Sequence, residues 1–373
     1  MRTFLPVCAI ATALILVQGG TASAAQPQME WVEVAKDGKG FVLAPSGKKF
    51  TPWGFNYDHD RRPRLLEEYW EAEWPTVVED FGEMRTLGAN VVRVHLQLAK
   101  FMDGPDKPNA KSLEMLRRLI ALAEQTGLYL DITGLGCYRK KEVPAWYDAL
   151  GESERWAVQA RFWEAVAACG AGSPAVFCYD LMNEPVVPGG RREAGQWVAG
   201  DLAGFSYVQF ITLDQAGRPR SEIARQWIAR LAAAVRKHDA RHMVTVGLVP
   251  WSVDRPGLTS GFVPKEVAGD LDFLCVHLYP SEKRSQPDEK KPPEDLETLK
   301  GFSVGKPVVI EEIFTLNCGA DYLRKFIAES RQYACGWIGF YWGQTPEELR
   351  QQHDIGAALT LAWLEVFQKS RPE

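Results

Sequence analysis

Two glutamates stand where apolar segments run out. Ala175–Met182 is followed by Asn183-Glu184-Pro185, and Pro307-Val308-Val309-Ile310 is followed by Glu311-Glu312. An ionised carboxylate at the end of an apolar strand is costly unless it is paired or used. Either one alone also reads as a salt-bridged strand end. Two of them, on two strands of one sheet, fit the pair of carboxylic acids that flanks a glycosidic bond during its hydrolysis. Other polar residues occupy similar places. Arg93, in Val91-Val92-Arg93-Val94-His95, can grip a carboxylate with a two-pronged hydrogen bond and keep it ionised. His277 and Tyr279 are two residues apart, so in a strand they share a face, as do Arg93 and His95. Tyr341-Trp342 ends another apolar run, and an exposed Trp there would offer a sugar a stacking platform. Asn56, Asp58 and His59 follow the first apolar run and either bond a distal sugar or cap a turn.

These residues need elements to carry them. Eight short apolar segments read as strands: Thr51–Asn56, Asn90–His95, Leu128–Thr133, Ala175–Met182, Met243–Leu248, Phe273–Tyr279, Pro307–Glu312 and Gly336–Trp342. Between them lie stretches whose apolar residues recur at three and four, as in Leu113–Gln125, Ser153–Cys169, Ser221–His238, Tyr322–Tyr333 and Thr345–Phe367. Near-continuously apolar strands alternating with helices predict a parallel sheet covered on both faces. Eight such units close a (β/α)8 TIM barrel, an α/β fold whose catalytic groups sit at the C-terminal strand ends. The rival, an open doubly wound sheet, calls for a glycine-rich phosphate turn after an early strand. Gly54-Phe55-Asn56-Tyr57 is not one. Residues 31–49 read as a short N-terminal β-hairpin with turns at Asp37-Gly38 and Ser46-Gly47, and Lys283–Glu297 as a polar, Pro-rich loop.

Met1-Arg2, the apolar run Phe4–Val17 and the small residues of Ala22-Ser23-Ala24 read as a cleavable secretory signal peptide over residues 1–24. The mature chain, 25–373, is then one catalytic domain, secreted or periplasmic and without a membrane span, since the apolar run is shorter than the roughly 20 residues a span needs. The chain is 46% hydrophobic with 13 Trp, which excludes a disordered or collagen-like chain. A net charge of −5 without a long basic run argues against a nucleic-acid partner. The six cysteines beyond the signal segment form no C-x-x-C pair, and with six His no ligand set for a metal stands out, so no metal or other cofactor is expected. Several of these cysteines lie in apolar runs and read as buried small hydrophobes.

In four blocks the sequence resembles glycoside hydrolase family 5, the cellulase-like (β/α)8 enzymes of the retaining clan. The blocks are Gly88-Ala89-Asn90-Val91-Val92-Arg93, Asn183-Glu184-Pro185, His277-x-Tyr279, and Lys306-Pro307 through Glu312, in that order along Gly54–Trp342. The resemblance implies that Glu184 is the general acid/base and Glu312 the nucleophile. It implies that Asn183 binds the sugar 2-hydroxyl, that Arg93 and Tyr279 orient the nucleophile and keep it ionised, that His277 lines the site and that Trp342 floors it. His95 and Asn56 would border the site. Adjacent strand residues face opposite ways, so Glu311 is expected to point away from Glu312. Glu311 departs from the small residue common at that position, and Thr133 stands where many members carry a His. The expected partner is a β-linked oligo- or polysaccharide cleaved by a monomeric enzyme. The alternatives are a transglycosylase using the same residues and a non-catalytic carbohydrate-binding barrel.

Overall fold

A computed structural model describes residues 29–282 and 294–372. The predicted signal segment, residues 1–24, lies outside them. Eight parallel strands close into a barrel: β1 (Trp53–Tyr57), β2 (Val91–Gln97), β3 (Tyr129–Gly136), β4 (Val176–Asn183), β5 (Met243–Leu248), β6 (Leu274–His277), β7 (Val308–Glu312) and β8 (Gly336–Phe340). Each strand pairs with its sequence neighbours, and β8 pairs with β1 to complete the ring. This is the (β/α)8 TIM barrel expected from the alternation, with no strand boundary moved by more than three residues. Every residue of the eight strands is buried, as a sheet covered by helices outside and filled by side chains inside requires.

The helices show why the periodicity was legible. In Ala110–Thr126 the residues Leu116, Leu119, Ile120 and Ala123 form one buried stripe. Asn109 caps its start by accepting from the Ser112 amide at 2.9 Å, and Gly127, at φ 68°, ends it in the left-handed conformation that glycine tolerates. The expected single helix over Thr345–Phe367 is two helices, Pro346–Leu349 and Ile355–Ser370. Thr345 caps the first and Asp354 the second, the latter accepting from the Ala357 amide at 2.8 Å. The proposed loop at Lys283–Glu297 falls mostly outside the described residues, but its last four residues begin the helix Glu294–Lys300.

The N-terminal hairpin gains a third strand. Trp31–Val34, Phe41–Ala44 and Lys49–Phe50 form an antiparallel meander, because each of the two predicted turns reverses the chain once. The meander plugs the barrel bottom. Phe41 meets Phe177 and Phe273 edge-on at 5.2 and 5.1 Å, and Phe50 meets Tyr129 at 4.9 Å. With the bottom sealed by apolar side chains, polar groups inside the barrel are open to solvent only at the top.

After β4 the chain makes a long excursion before the helix Arg220–Arg236. Within it Pro185–Val186, Val208–Phe210 and Val198–Ala199 form a small separate sheet. Among the described residues, no helix is long and apolar enough to cross a membrane, and all six cysteines are free.

The barrel has no slack where β1 meets β2. A Cβ on Gly54 would stand 2.0 Å from the Val91 carbonyl oxygen. Gly54→Ala is therefore expected to destabilise the protein by about 3 kcal/mol or more, because the obstacle is backbone rather than a movable side chain. Urea unfolding of the two proteins measures it, and equal midpoints would contradict it.

Candidate active site

At the top of the barrel one guanidinium gathers the polar groups of four strands. Arg93, fully buried on β2, donates from Nη1 to Asn56 Oδ1 and to Glu312 Oε1, both at 2.9 Å. From Nη2 it donates to Asp180 Oδ2 at 2.7 Å and Asn183 Oδ1 at 3.0 Å, and Glu311 Oε2 lies 3.4 Å away. Asn56 is fully engaged: its Nδ2 donates to the carbonyls of Glu311 and Gly339, both at 2.9 Å. Thr133 donates to Asp180 Oδ2 at 2.8 Å. The Thr at this position therefore belongs to the interior network that sets Arg93.

Glu184 and Glu312 stand together above this layer. One oxygen of each and a ring nitrogen of His277 lie within 4.8 Å of one another. Glu184 leaves β4 at φ 48°, a left-handed conformation uncommon outside glycine, while its amide donates to the Gly247 carbonyl at 2.9 Å. This break in strand geometry lets Asn183 and Glu184 border the same cavity although they are adjacent. Tyr279 donates its hydroxyl to Glu312 Oε2 at 2.5 Å.

Glu311 does not point away from Glu312 as strand alternation predicted. Both carboxylates reach Arg93 and His277. The pairing of β6 with β7 slips between Val276 and His277, so that His277 sits opposite Glu312, and the simple two-residue period ends there. Glu311 turns into the barrel toward Asp131 and Asp180, and one oxygen from each of the three lies within 4.8 Å of the others.

Burial and charge divide the protonation states. Burial pushes the Glu312 carboxyl above its usual value, with His277 and Arg93 pulling the other way. The expectation that Arg93 and Tyr279 would hold it down fails because desolvation is the larger effect. Burial also raises Glu311, but Arg93 and His277 outweigh it and hold that carboxyl at about 2. Burial alone would lower His277; the charge of Glu312 and the hydrogen bonds to Glu184 and Glu311 raise it to about 10. Asp131 is pushed well up by burial and then by Glu311. His95 is lowered well below its usual range by burial and by Arg93, so it is neutral. Its Nε2 donates to Asn56 Oδ1 at 3.2 Å and its Nδ1 accepts from Tyr138 at 2.5 Å. The two acidic clusters have the spacing of cation ligands, and in both the cation present is a side chain, Arg93 or His277.

The cavity over these carboxylates measures about 410 Å3. Asn183, Glu184, Tyr279, Glu312, His95 and Trp342 border it, as the sequence placed them. Arg93, His277 and Asn56 do not. They are buried beneath it and support the residues that do. Residues 46–346 match the family described as cellulase (glycosyl hydrolase family 5). The chain belongs to glycosyl hydrolase family 5. It is a glycosidase by that membership. No curated protein sequence matches the chain. Among solved structures, the exo-β-1,4-mannosidase Op5Man5 from Opitutaceae bacterium strain TAV5 superposes with a TM-score of 0.63 at 16% identity, over 90% of this chain and 61% of that one. The present chain thus spans about three fifths of that protein. A β-1,4-mannanase from the sea hare Aplysia kurodai gives 0.58 at 14% identity, over 86% and 95% of the two chains. A family 5 protein from Streptomyces cattleya, in complex with Manβ1-4GlcNAc, gives 0.57 at 16% identity, over 78% and 70%. At such identities the likeness is one of fold.

Within this family 5 barrel, several wall residues had no separable sequence signal. Tyr207, Leu202 and Ala203 come from the excursion after β4, and Phe314 and Leu316 from the loop after β7. Nothing in their spacing marks them, because loop geometry brings them in. Of the aromatic residues on β1, Trp53 stacks on Phe367 at 4.7 Å outside the barrel and Tyr57 bonds to Asp80. Trp342 does reach the cavity. Its Nε1 donates to Asp58 Oδ1 at 3.0 Å, and its ring lies parallel to His59, which is stacked in turn on Phe205. Asp180 and Asp131 were legible only as polar breaks in apolar strands.

Gly247 on β5 leaves the space these groups fill. A Cβ there would lie 2.9 Å from His277 Nε2 and 3.0 Å from both Arg93 Nη2 and Glu311 Oε2. Gly247→Ala should lower kcat by about 100-fold, the effect of displacing catalytic groups by roughly an ångström. Its circular dichroism spectrum should stay native. A fully active variant would show that the network tolerates displacement.

Proposed function

We propose that this family 5 enzyme is a retaining β-glycoside hydrolase in which Glu312 is the nucleophile and Glu184 the general acid/base. The observation that carries the reading is the closeness of the two carboxylates, with one oxygen of each within 4.8 Å. Retaining enzymes hold their carboxyl groups about 5–5.5 Å apart, whereas inverting ones leave roughly 6.5–9.5 Å for a water molecule. In the first step Glu312 attacks the anomeric carbon and Glu184 protonates the leaving oxygen. In the second, Glu184 takes a proton from water, which releases the sugar from Glu312. Arg93 and Tyr279 grip the two oxygens of Glu312 from different sides, which supports its role as the attacking group. The mannoside-processing relatives by fold make β-mannosides and β-1,4-mannan the first substrates to test, followed by β-glucans and aryl β-glycosides.

On its substrate, Glu184→Gln should lose about 10²–10⁴-fold in kcat, the range of general acid–base catalysis. The loss should be smaller for an aryl glycoside whose phenolate leaves without a proton. Glu312→Gln should be inactive on every substrate. The first product released, followed by proton NMR, should keep the β configuration. An α product would overturn the retaining reading, and a fully active variant would remove that residue from its role.

We further propose that the enzyme is exported and that residues 1–24 are removed. N-terminal sequencing of the exported protein should begin at Ala25, and a start at Met1 would contradict cleavage.

A further inference from the structure

His277 is surrounded by acceptors. Its Nε2 faces Glu311 Oε2 at 3.2 Å, and its Nδ1 faces Glu184 Oε1 at 3.0 Å and Glu312 Oε1 at 3.4 Å. A neutral imidazole has one donor nitrogen and one acceptor nitrogen. Opposite carboxylates on both sides, it is best satisfied as the imidazolium. Glu311 is fully buried. It has no access to substrate, since it does not border the cavity. Gly247 is the neighbour that leaves room for the pair.

We propose that Glu311 is a positioning residue of the reaction. By holding Nε2–H of His277 it keeps the ring doubly protonated, with Nδ1–H between Glu184 and Glu312, so that one donor serves whichever of the two carboxylates is charged. The inference rests on the roles assigned to Glu184 and Glu312 above. During the first step the bond from the anomeric carbon to the leaving oxygen breaks and a bond to a Glu312 oxygen forms. The Glu184 proton goes to the leaving oxygen. Negative charge therefore passes from Glu312 to Glu184, and the second step returns it. His277 gives up no proton. It shifts its hydrogen bond between two oxygens already within 3.4 Å. A fixed charge beside the moving one needs no reorganisation as the reaction proceeds.

Several other charged and titratable groups face this pair. Arg93 approaches Glu311 and opposes the charge on His277. Asp131 and Asp180 face Glu311 from β3 and β4, and the thiols of Cys178 and Cys275 lie near it. His95 is near enough to feel the His277 charge but is itself neutral. Glu184 and Glu312 hold the His277 proton from the Nδ1 side, and Glu311 is the carboxylate bonded to Nε2, so removing its charge should make the proton easier to lose.

Glu311→Gln keeps an oxygen for Nε2–H and removes the charge. The alkaline limb of its kcat/KM profile is expected to move to lower pH by about one unit or more, which is about tenfold in rate per unit on that limb. The loss of activity on the acid side should be smaller than on the alkaline side. Glu311→Asp, which keeps the charge, should restore the wild-type limb. Equal loss at every pH with an unmoved limb would overturn the proposal and leave Glu311 a packing residue. Should the Gln variant fail to fold, the imidazole nitrogen resonances of His277 in the wild-type protein decide the matter. The imidazolium is expected to persist through about pH 8, and titration near the ordinary value of about 6.5 would overturn the proposal. A wild-type protein that cleaves no β-glycoside would contradict the proposed function instead, while the resonance measurement would still report on the His277–Glu311 pair.

Discussion

The burial of Arg93 constrains everything else at the top of the barrel. A guanidinium with no solvent access is tolerable only if its charge and its donors are met by the protein. Asn56, Asp180, Asn183 and Glu312 accept from its two Nη groups, from β1, β4 and β7, with Glu311 close by, and Nε is the one guanidinium donor left without a partner. Arg93 itself comes from β2, so four strands are tied at one point near the ends that carry the reacting carboxylates. Any shift of β4 or β7 that moved Glu184 or Glu312 would strand buried charge. The same network that makes the site expensive to desolvate therefore holds it in register.

The negative groups outnumber the positive ones, and the structure resolves this by protonation and by distance. Asp131 is driven toward its neutral form, while Glu311 keeps its charge between Arg93 and His277. Of the carboxylates that reach Arg93, Glu312 is the one nearest the surface, with its side chain 11% exposed. Burial raises its basicity, which suits the attacking role proposed for it. The apolar meander beneath the barrel and the aromatic rings around the cavity keep water from screening these charges, and interactions inside so dry a site are strong.

Above this buried floor the wall is built by loops. Tyr207, Leu202 and Ala203 descend from the small sheet after β4, and Phe314 and Leu316 rise after β7. His59 lies between Trp342 and Phe205 and joins the β1 loop to the excursion in a three-ring stack. In barrel enzymes such loops set substrate choice, whereas the strand ends carry the reacting groups.

The sequence by itself determined the barrel and pointed to the carboxylate pair Glu184 and Glu312. Strand and helix periods, the end of each apolar run, and the blocks around Arg93, Glu184, His277 and Glu312 are local patterns. Local patterns survive in one dimension because each strand must bury both faces and end at the site. Tertiary structure decided the rest. The slip between β6 and β7 brought Glu311 to His277, against the two-residue period. Desolvation reversed the expected direction at Glu312. Packing withdrew Asn56, Arg93 and His277 from the cavity wall, and loop paths supplied Tyr207 and Phe314 in their place. Each of these depends on distances between residues far apart in the chain, and a sequence carries spacing along the chain but not separation in space.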